Sequence, residues 1–185
     1  MHSIVMLSAS VRIGRKSNRV ASFFYNYIKE NNIANVEMLD LDACNFPIFE
    51  ERLKFLKEPP ATLLQFAEKI KAADGVLIVS PEYNGGYPAS LKNAIDVLVE
   101  EWKHKPVAIS TVSAGPFGGS NMIPSLQFSL WKLGALTVPA MFPVPAVDKN
   151  YDENGIPTDK ETSEKRAASF LKEMIWCINA VKKMQ

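Results

Sequence analysis

The sequence predicts a three-layer α/β sandwich built on a parallel sheet of five strands. Two patterns predict it. Short apolar runs of strand length alternate along the chain with segments of helical periodicity, an order that calls for right-handed β–α–β crossovers. One of those runs, Gly75 to Val79, is continuous and β-branched, as in a strand covered on both faces. With 185 residues, 47% hydrophobic and 22% charged, the chain has material for one packed domain (residues 1–185) and is too apolar to stay disordered.

Ile4 to Leu7 reads as the first strand, and Val20 to Ile28 follows with helical spacing at Val20, Phe23, Phe24, Tyr27 and Ile28. Val36 to Leu41 alternates apolar and acidic residues, as a half-buried strand does. After the break at Pro59-Pro60, a helical stripe runs through Leu63, Leu64, Phe66, Ala67 and Ile70. The run from Gly75 ends at Ser80-Pro81, and a helix from about Ala89 to Val99 turns Leu91, Ala94, Ile95 and Leu98 inward. Val107 to Val112 is the next strand, Asn121 to Lys132 a helix, and Ala135 to Val138 the fifth strand, just after Gly134. The polar segment Asp148 to Asp159 holds a turn at Asn154-Gly155. Thr158 and Glu161 have capping-box spacing and open a last helix with the stripe Ala167, Phe170, Leu171, Met174, Ile178 and Val181.

Five strands in this sequence fit the flavodoxin-like sheet order 2-1-3-4-5. Such sheets bind ligands outside the carboxyl ends of their strands, at the switch point between strands 1 and 3. The loops after Leu7, Val79 and Val112 are therefore the candidate site.

Composition narrows the function. Lys plus Arg total 21 against 20 for Asp plus Glu, a net charge of +1, which argues against a nucleic-acid coat and against a strongly acidic electron carrier. Cys44 and Cys177 do not make a disulfide scaffold. The apolar start Met1 to Leu7 is too brief for a signal peptide and lacks a basic leader, so a cytoplasmic location with free thiols is expected. His2 and His104 stand alone, and no Cys or His pair has metal-ligand spacing. Pro106 to Trp131 carries no charge, but its glycines, prolines and serines break any membrane-spanning helix. A buried strand running into a ligand-holding loop explains it better.

All three candidate loops are unusual. The first, Ser8 to Asn18, places hydroxyls at Ser10 and Ser17, cations at Arg12, Arg15 and Lys16, and the amides of a helix start together, a cradle for phosphate. It is neither a Walker loop, since Arg15 stands where glycine is required, nor a dinucleotide fingerprint, since Gly14 is its only glycine. The plainer alternative is a basic turn with Ser17 or Asn18 as an ordinary helix cap. The second loop, Ser80 to Pro88, supplies Gly85-Gly86 for close approach and positive φ, and Tyr83 and Tyr87 as planar surfaces. The third, Ser113 to Ser120, is glycine-rich in the same way.

At these loops the sequence resembles the NADPH-dependent FMN reductase family, relatives of flavodoxin that include quinone, azo-dye and chromate reductases. Ser10, Arg12, Ser17 and Asn18 are similar to its G-S-x-R phosphate motif, and Ser80 to Asn84 to its S-P-E-Y-N segment, continued ungapped from Pro88 to Asp96. Phe46 to Phe49 resembles a segment found after the family's second strand. The resemblance covers roughly residues 3 to 145, the final helix agreeing only in type. Two positions depart: Ala9 stands where the family usually has glycine, and Gly85-Gly86 where many relatives carry a bulkier residue over the flavin edge.

The resemblance implies that FMN places its phosphate on Ser10, Arg12, Ser17 and Asn18. Its ring would lie against Pro81, Glu82, Tyr83, Asn84 and Gly85, with amides around Ser113, Gly115, Gly118 and Gly119 at the pyrimidine edge. Oriented amides stabilise developing negative charge without a proton donor, so no catalytic side chain is expected. NADPH, or NADH, and then a small oxidised acceptor would react in turn. The competing reading is an FMN-binding electron carrier that docks on protein partners. Lys92 and Asp96 sit four apart on the following helix, either as a solvated pair worth ~0.3–0.5 kcal/mol or, as the resemblance implies, in the interface of a homodimer or homotetramer. Neither nucleic acid nor membrane is an expected partner.

Overall fold

The structure, a computed structural model, describes residues 1–184. Five parallel strands, β1 (Ser3–Ser8), β2 (Asn35–Asp40), β3 (Gly75–Pro81), β4 (Pro106–Val112) and β5 (Leu136–Val144), pair in the order β2-β1-β3-β4-β5. This is the predicted order. The helices are α1 (Ser17–Glu30), α2 (Leu41–Cys44), α3 (Ala61–Ala72), α4 (Ala89–Asp96), α5 (Ile123–Lys132), α6 (Val147–Asn150) and α7 (Lys160–Met184).

The sheet separates two apolar cores. On one side Leu63, Phe66 and Ile70 of α3, Leu91 and Ile95 of α4 and Leu126 of α5 pack on Val5, Leu7, Val76 and Ile78. On the other side Val20, Phe24 and Ile28 of α1 and Phe170, Met174 and Ile178 of α7 cover Ile4, Met6, Leu77 and Val79. Every residue of β3 and β4 is buried, Ser80, Ser110 and Thr111 included, as befits central strands covered twice.

Four departures from the sequence reading have a clear physical reason. β5 extends to Val144 across Pro139 and Pro143. It is an edge strand, where a missing ladder donor costs little, and its pairing skips from Val107–Thr137 to Ile109–Met141, so Pro139 falls in a bulge. Leu41 leaves β2 to start α2, because the Asp40 carboxylate accepts from the Asp42 amide at 3.1 Å and caps that turn. α4 stops at Asp96; the Val97 carbonyl instead accepts from the Leu53 amide at 2.9 Å. α5 begins at Ile123, after a 3-10 turn at Ser120–Met122, with Pro124 in its first turn, where no amide hydrogen is needed.

The last helix is capped by a different residue from the one expected. Asp159 accepts from the Thr162 amide at 3.0 Å, whereas the Thr158 hydroxyl donates to the Lys149 carbonyl at 2.7 Å. The turn at Asn154-Gly155 is present, with Gly155 at φ +83°.

Candidate functional site

The first loop carries the chain from Ser8, the end of β1, to Ser17, the start of α1. Helix α1 has no side-chain cap and no acidic residue in its first turn. The Arg19 amide closes back on the Lys16 carbonyl at 3.1 Å, and the amides ahead of it, without an intrahelical partner, can serve an outside acceptor under the favourable end of the helix dipole. The plainer reading of Ser17 or Asn18 as a cap is thus not realised. Instead the buried Ser17 hydroxyl and Asn18 Oδ1 have no hydrogen-bond partner, and neither has the Ser8 hydroxyl. An unsatisfied buried polar group costs about 1–3 kcal/mol. Two of the three stand at one helix start, as in a site built for a polar ligand.

The three cations of this loop have different fates. Arg15 forks onto Asp40 at 2.5 and 2.6 Å and donates to the Ser10 carbonyl at 2.6 Å. The Asp40 hydrogen bond raises the Arg15 pKa, against a smaller opposing effect of burial. Lys16 pairs with Asp148 at 2.6 Å. Arg12 is exposed and has no ion pair among the described residues. The basic cluster seen in the sequence is therefore one free guanidinium beside two neutralised cations.

The second loop closes on itself. The Tyr83 amide donates to the Gly86 carbonyl at 2.8 Å and the Gly86 amide returns to Tyr83 at 3.0 Å. Between them Asn84 (φ 52°) and Gly85 (φ 80°) form the two-residue turn that suits an Asn-Gly pair. Positive φ thus falls on Asn84 and Gly85, not on Gly85 and Gly86 together. The tyrosines are held by their hydroxyls: Tyr83 lies 2.7 Å from the Ser10 hydroxyl, and Tyr87 2.8 Å from that of Ser129. Glu82 accepts from Asn121 twice, from its amide at 2.9 Å and its Nδ2 at 3.1 Å, which straps the second loop to the third. Pro81 is buried at the end of β3.

In the third loop Ser113 and Gly115 line the rim. The Ser113 hydroxyl donates to the Gly115 carbonyl at 2.9 Å, and so does the Ala146 amide at 3.0 Å. Gly118 and Gly119 are buried, and both backbone and packing call for glycine: φ is +64° and +76°, and a Cβ would lie 3.0 Å from Pro143 Cβ and 3.1 Å from the Val112 carbonyl, respectively. Ala9 is also accounted for. Its methyl joins the core, its amide donates to Val79 at 3.0 Å, and its carbonyl accepts from the Ser90 hydroxyl at 2.7 Å.

The fold thus brings all three loops to one edge of the sheet. Asp40, Ser90 and Asn121 belong to this edge and were not legible in the sequence, because their roles depend on partners 25 to 81 residues away. Burial pushes up the pKa of both free thiols, Cys44 and Cys177, away from reactive thiolates.

Comparison with known proteins agrees with this fold. Residues 2–149 match the sequence pattern of the family described as NADPH-dependent FMN reductase. An NAD(P)H-dependent FMN reductase of Schizosaccharomyces pombe is 45% identical over 146 residues, covering 75% of this chain and 70% of that protein. A quinone reductase of Escherichia coli is 36% identical over 122 residues, 63% of each chain. Among solved structures, the flavoenzyme NAD(P)H:(acceptor) oxidoreductase FerB from Paracoccus denitrificans superposes with a TM-score of 0.77 at 22% identity, covering 96% of this chain and 97% of that one. An azoreductase from Bacillus anthracis gives a TM-score of 0.58 at 15% identity, covering 99% and 100%. At those identities the structural matches speak for the fold.

Proposed function

The chain belongs to the NADPH-dependent FMN reductase family, a group of oxidoreductases, and from that premise we propose how its own residues serve such a reaction. It holds FMN at the three-loop edge and passes two electrons from NADPH, or NADH, to a small acceptor such as a quinone, a free flavin, an azo dye or a metal oxyanion. The observation that carries the reading is the pair of unpartnered buried atoms, Ser17 Oγ and Asn18 Oδ1, beside the free Arg12. These groups fit a phosphate monoester. The α1 amides and the hydroxyls of Ser10 and Ser17 donate to its oxygens, a half-turn of the Asn18 amide presents its NH2, and Arg12 neutralises charge with a bidentate fork. One such cradle suits FMN better than FAD.

Pro81, Glu82, Tyr83, Asn84 and Gly85 back the ring, and Ser113, Gly115, Gly118 and Gly119 give the third loop its course along the pyrimidine edge. When bound, FMN would supply the redox chemistry between the nicotinamide and the acceptor. The protein supplies orientation and oriented amides toward developing negative charge. Glu82 already accepts two hydrogen bonds from Asn121, so it holds a loop rather than a proton. No side chain is assigned as acid or base.

Among the described residues no helix is long and apolar enough to cross a membrane. The reading includes a single domain, a cytoplasmic location and a homodimer or homotetramer, for which the exposed Lys92–Asp96 face of α4 is the candidate contact. The visible spectrum of the purified protein, flavin release by heat with chromatography, and NADPH consumption with a quinone test the proposal. A yellow protein releasing FMN and oxidising NADPH only with acceptor present is expected. FAD as the main flavin, or consumption of neither NADPH nor NADH, overturns it.

A further inference from the structure

Two sequence segments, Phe46 to Phe49 and Pro88 to Asp96, are joined by one side chain that the cofactor site does not use. Asn93 Oδ1 accepts from the Phe49 amide at 2.6 Å, and its Nδ2 donates to the Pro47 carbonyl at 2.8 Å. Phe46 anchors the same segment edge-on against Phe66, ring centres 5.0 Å apart. The arch so held walls a cleft of about 320 Å³ whose lining includes Val11, Asp42, Phe46, Ile48, Ala89 and Asn93. Val11 belongs to the phosphate loop, and Ala89 opens α4 directly after the second loop, so the cleft adjoins the proposed cofactor edge.

Its chemistry is one-sided. Ser90 spends its hydroxyl on the Ala9 carbonyl and Asn93 spends both ends of its amide on the arch, so apart from Asn45 and Asp42 the wall, with Val11, Leu41, Phe46, Ile48 and Ala89, offers mostly carbon to a ligand. No cation lines it, and its one charged residue is Asp42. Arg15, 3.5 Å from Asp42, is shared with Asp40 at 2.5 Å, which leaves two carboxylates against one guanidinium. We propose that this cleft is the acceptor subsite and that it favours neutral planar acceptors over anionic ones. Asn93 acts as a positioning residue that keeps the arch in place. The inference rests on the reductase reading and narrows its acceptors: an uncharged quinone ring meets apolar walls, whereas an oxyanion or sulfonate meets Asp42, whose one cation, Arg15, is shared with Asp40.

The test uses FMN-loaded protein, saturating NADPH, and two probes of one shape, 1,4-naphthoquinone and its 2-sulfonate. The neutral quinone is expected to have the lower KM. Asp42→Asn lowers the KM of the sulfonate about three- to tenfold and leaves that of the neutral quinone within about twofold, an effect that fades at high salt. Ile48→Ala and Asn93→Ala raise the KM of the neutral quinone about three- to tenfold, by loss of apolar wall, with a smaller change in kcat. Independently of turnover, adding 1,4-naphthoquinone without NADPH shifts the amide NMR signals of Val11, Ala89 and Asn93. An unchanged KM ratio in Asp42→Asn, or NMR shifts elsewhere only, overturns the cleft. Wild-type protein that holds no FMN or oxidises neither NADPH nor NADH overturns the reductase reading instead.

Discussion

The phenol of Tyr83 lies 2.7 Å from the hydroxyl of Ser10, joining the loop after β3 to the loop after β1 across 73 residues of sequence. Ser10 also accepts from the Arg12 amide at 3.3 Å, so the contact reaches the turn that presents Arg12. Tyr83→Phe keeps the ring and removes this link, which is worth about 0.5–1.5 kcal/mol. The expected outcome is FMN binding weakened by roughly three- to tenfold, with a smaller change in the rate of flavin reduction. Titration of apoprotein with FMN and stopped-flow reduction by NADPH separate the two.

Arg12 is the free cation of the first loop, and Arg15 is not. Arg12→Ala is expected to cost about 1.5–3 kcal/mol of FMN affinity, the range for a hydrogen bond to a charged group, and Arg12→Lys to restore only part. Equal FMN affinity in wild type and Arg12→Ala, measured by calorimetry, would remove Arg12 from the phosphate site.

Glu82 serves as a strap. With both oxygens engaged by Asn121, Glu82→Gln in FMN-saturated protein should lower the rate of flavin reduction by far less than the ~10²–10⁴-fold typical of a lost general acid or base. A drop beyond a hundredfold at full flavin occupancy would show that this side chain does proton chemistry.

Two glycines with similar φ should behave differently. At Gly155 (φ +83°) a Cβ would lie 2.5 Å from the Arg19 carbonyl and 2.7 Å from the Phe23 amide, so Gly155→Ala combines strain with a backbone clash and is expected to cost more than about 2 kcal/mol. At Gly85 (φ +80°) a Cβ meets open space, so Gly85→Ala should cost only the strain of about 1–2 kcal/mol. Urea unfolding of the two flavin-free variants checks the order. Gly85→Val should additionally crowd the ring and weaken FMN binding.

Asp74 predicts one feature of the acid limb of stability. Burial works to raise its pKa, but the Lys182 hydrogen bond at 2.8 Å, the Ser3 amide at 2.9 Å and nearby His2 together hold it below the ordinary carboxylate value. Its contribution is therefore fully present above about pH 4 and lost as pH falls through the lowered folded value. Asp74→Asn should flatten the fall in stability below pH ~4, read from denaturant midpoints across pH.

Periodicity and residue type were enough to determine the strand order, the two apolar faces and the three loops that share an edge. They are local signals: Val20, Phe24 and Ile28 mark one side of a helix wherever it packs, and a run such as Gly75 to Val79 demands cover on both faces. Tertiary structure decided which polar groups remain free. Arg12, Arg15 and Lys16 read alike in the sequence, and only the return of Asp40 from β2 and of Asp148 from beyond β5 neutralises two of them. The same holds for the Asp159 cap, the bulge that admits Pro139 to β5, and the arch that Asn93 ties to α4. Each depends on a partner distant in sequence or on the course of the backbone. Hydrogen bonding and ion pairing act over a few ångströms of space, and a sequence orders residues only along the chain.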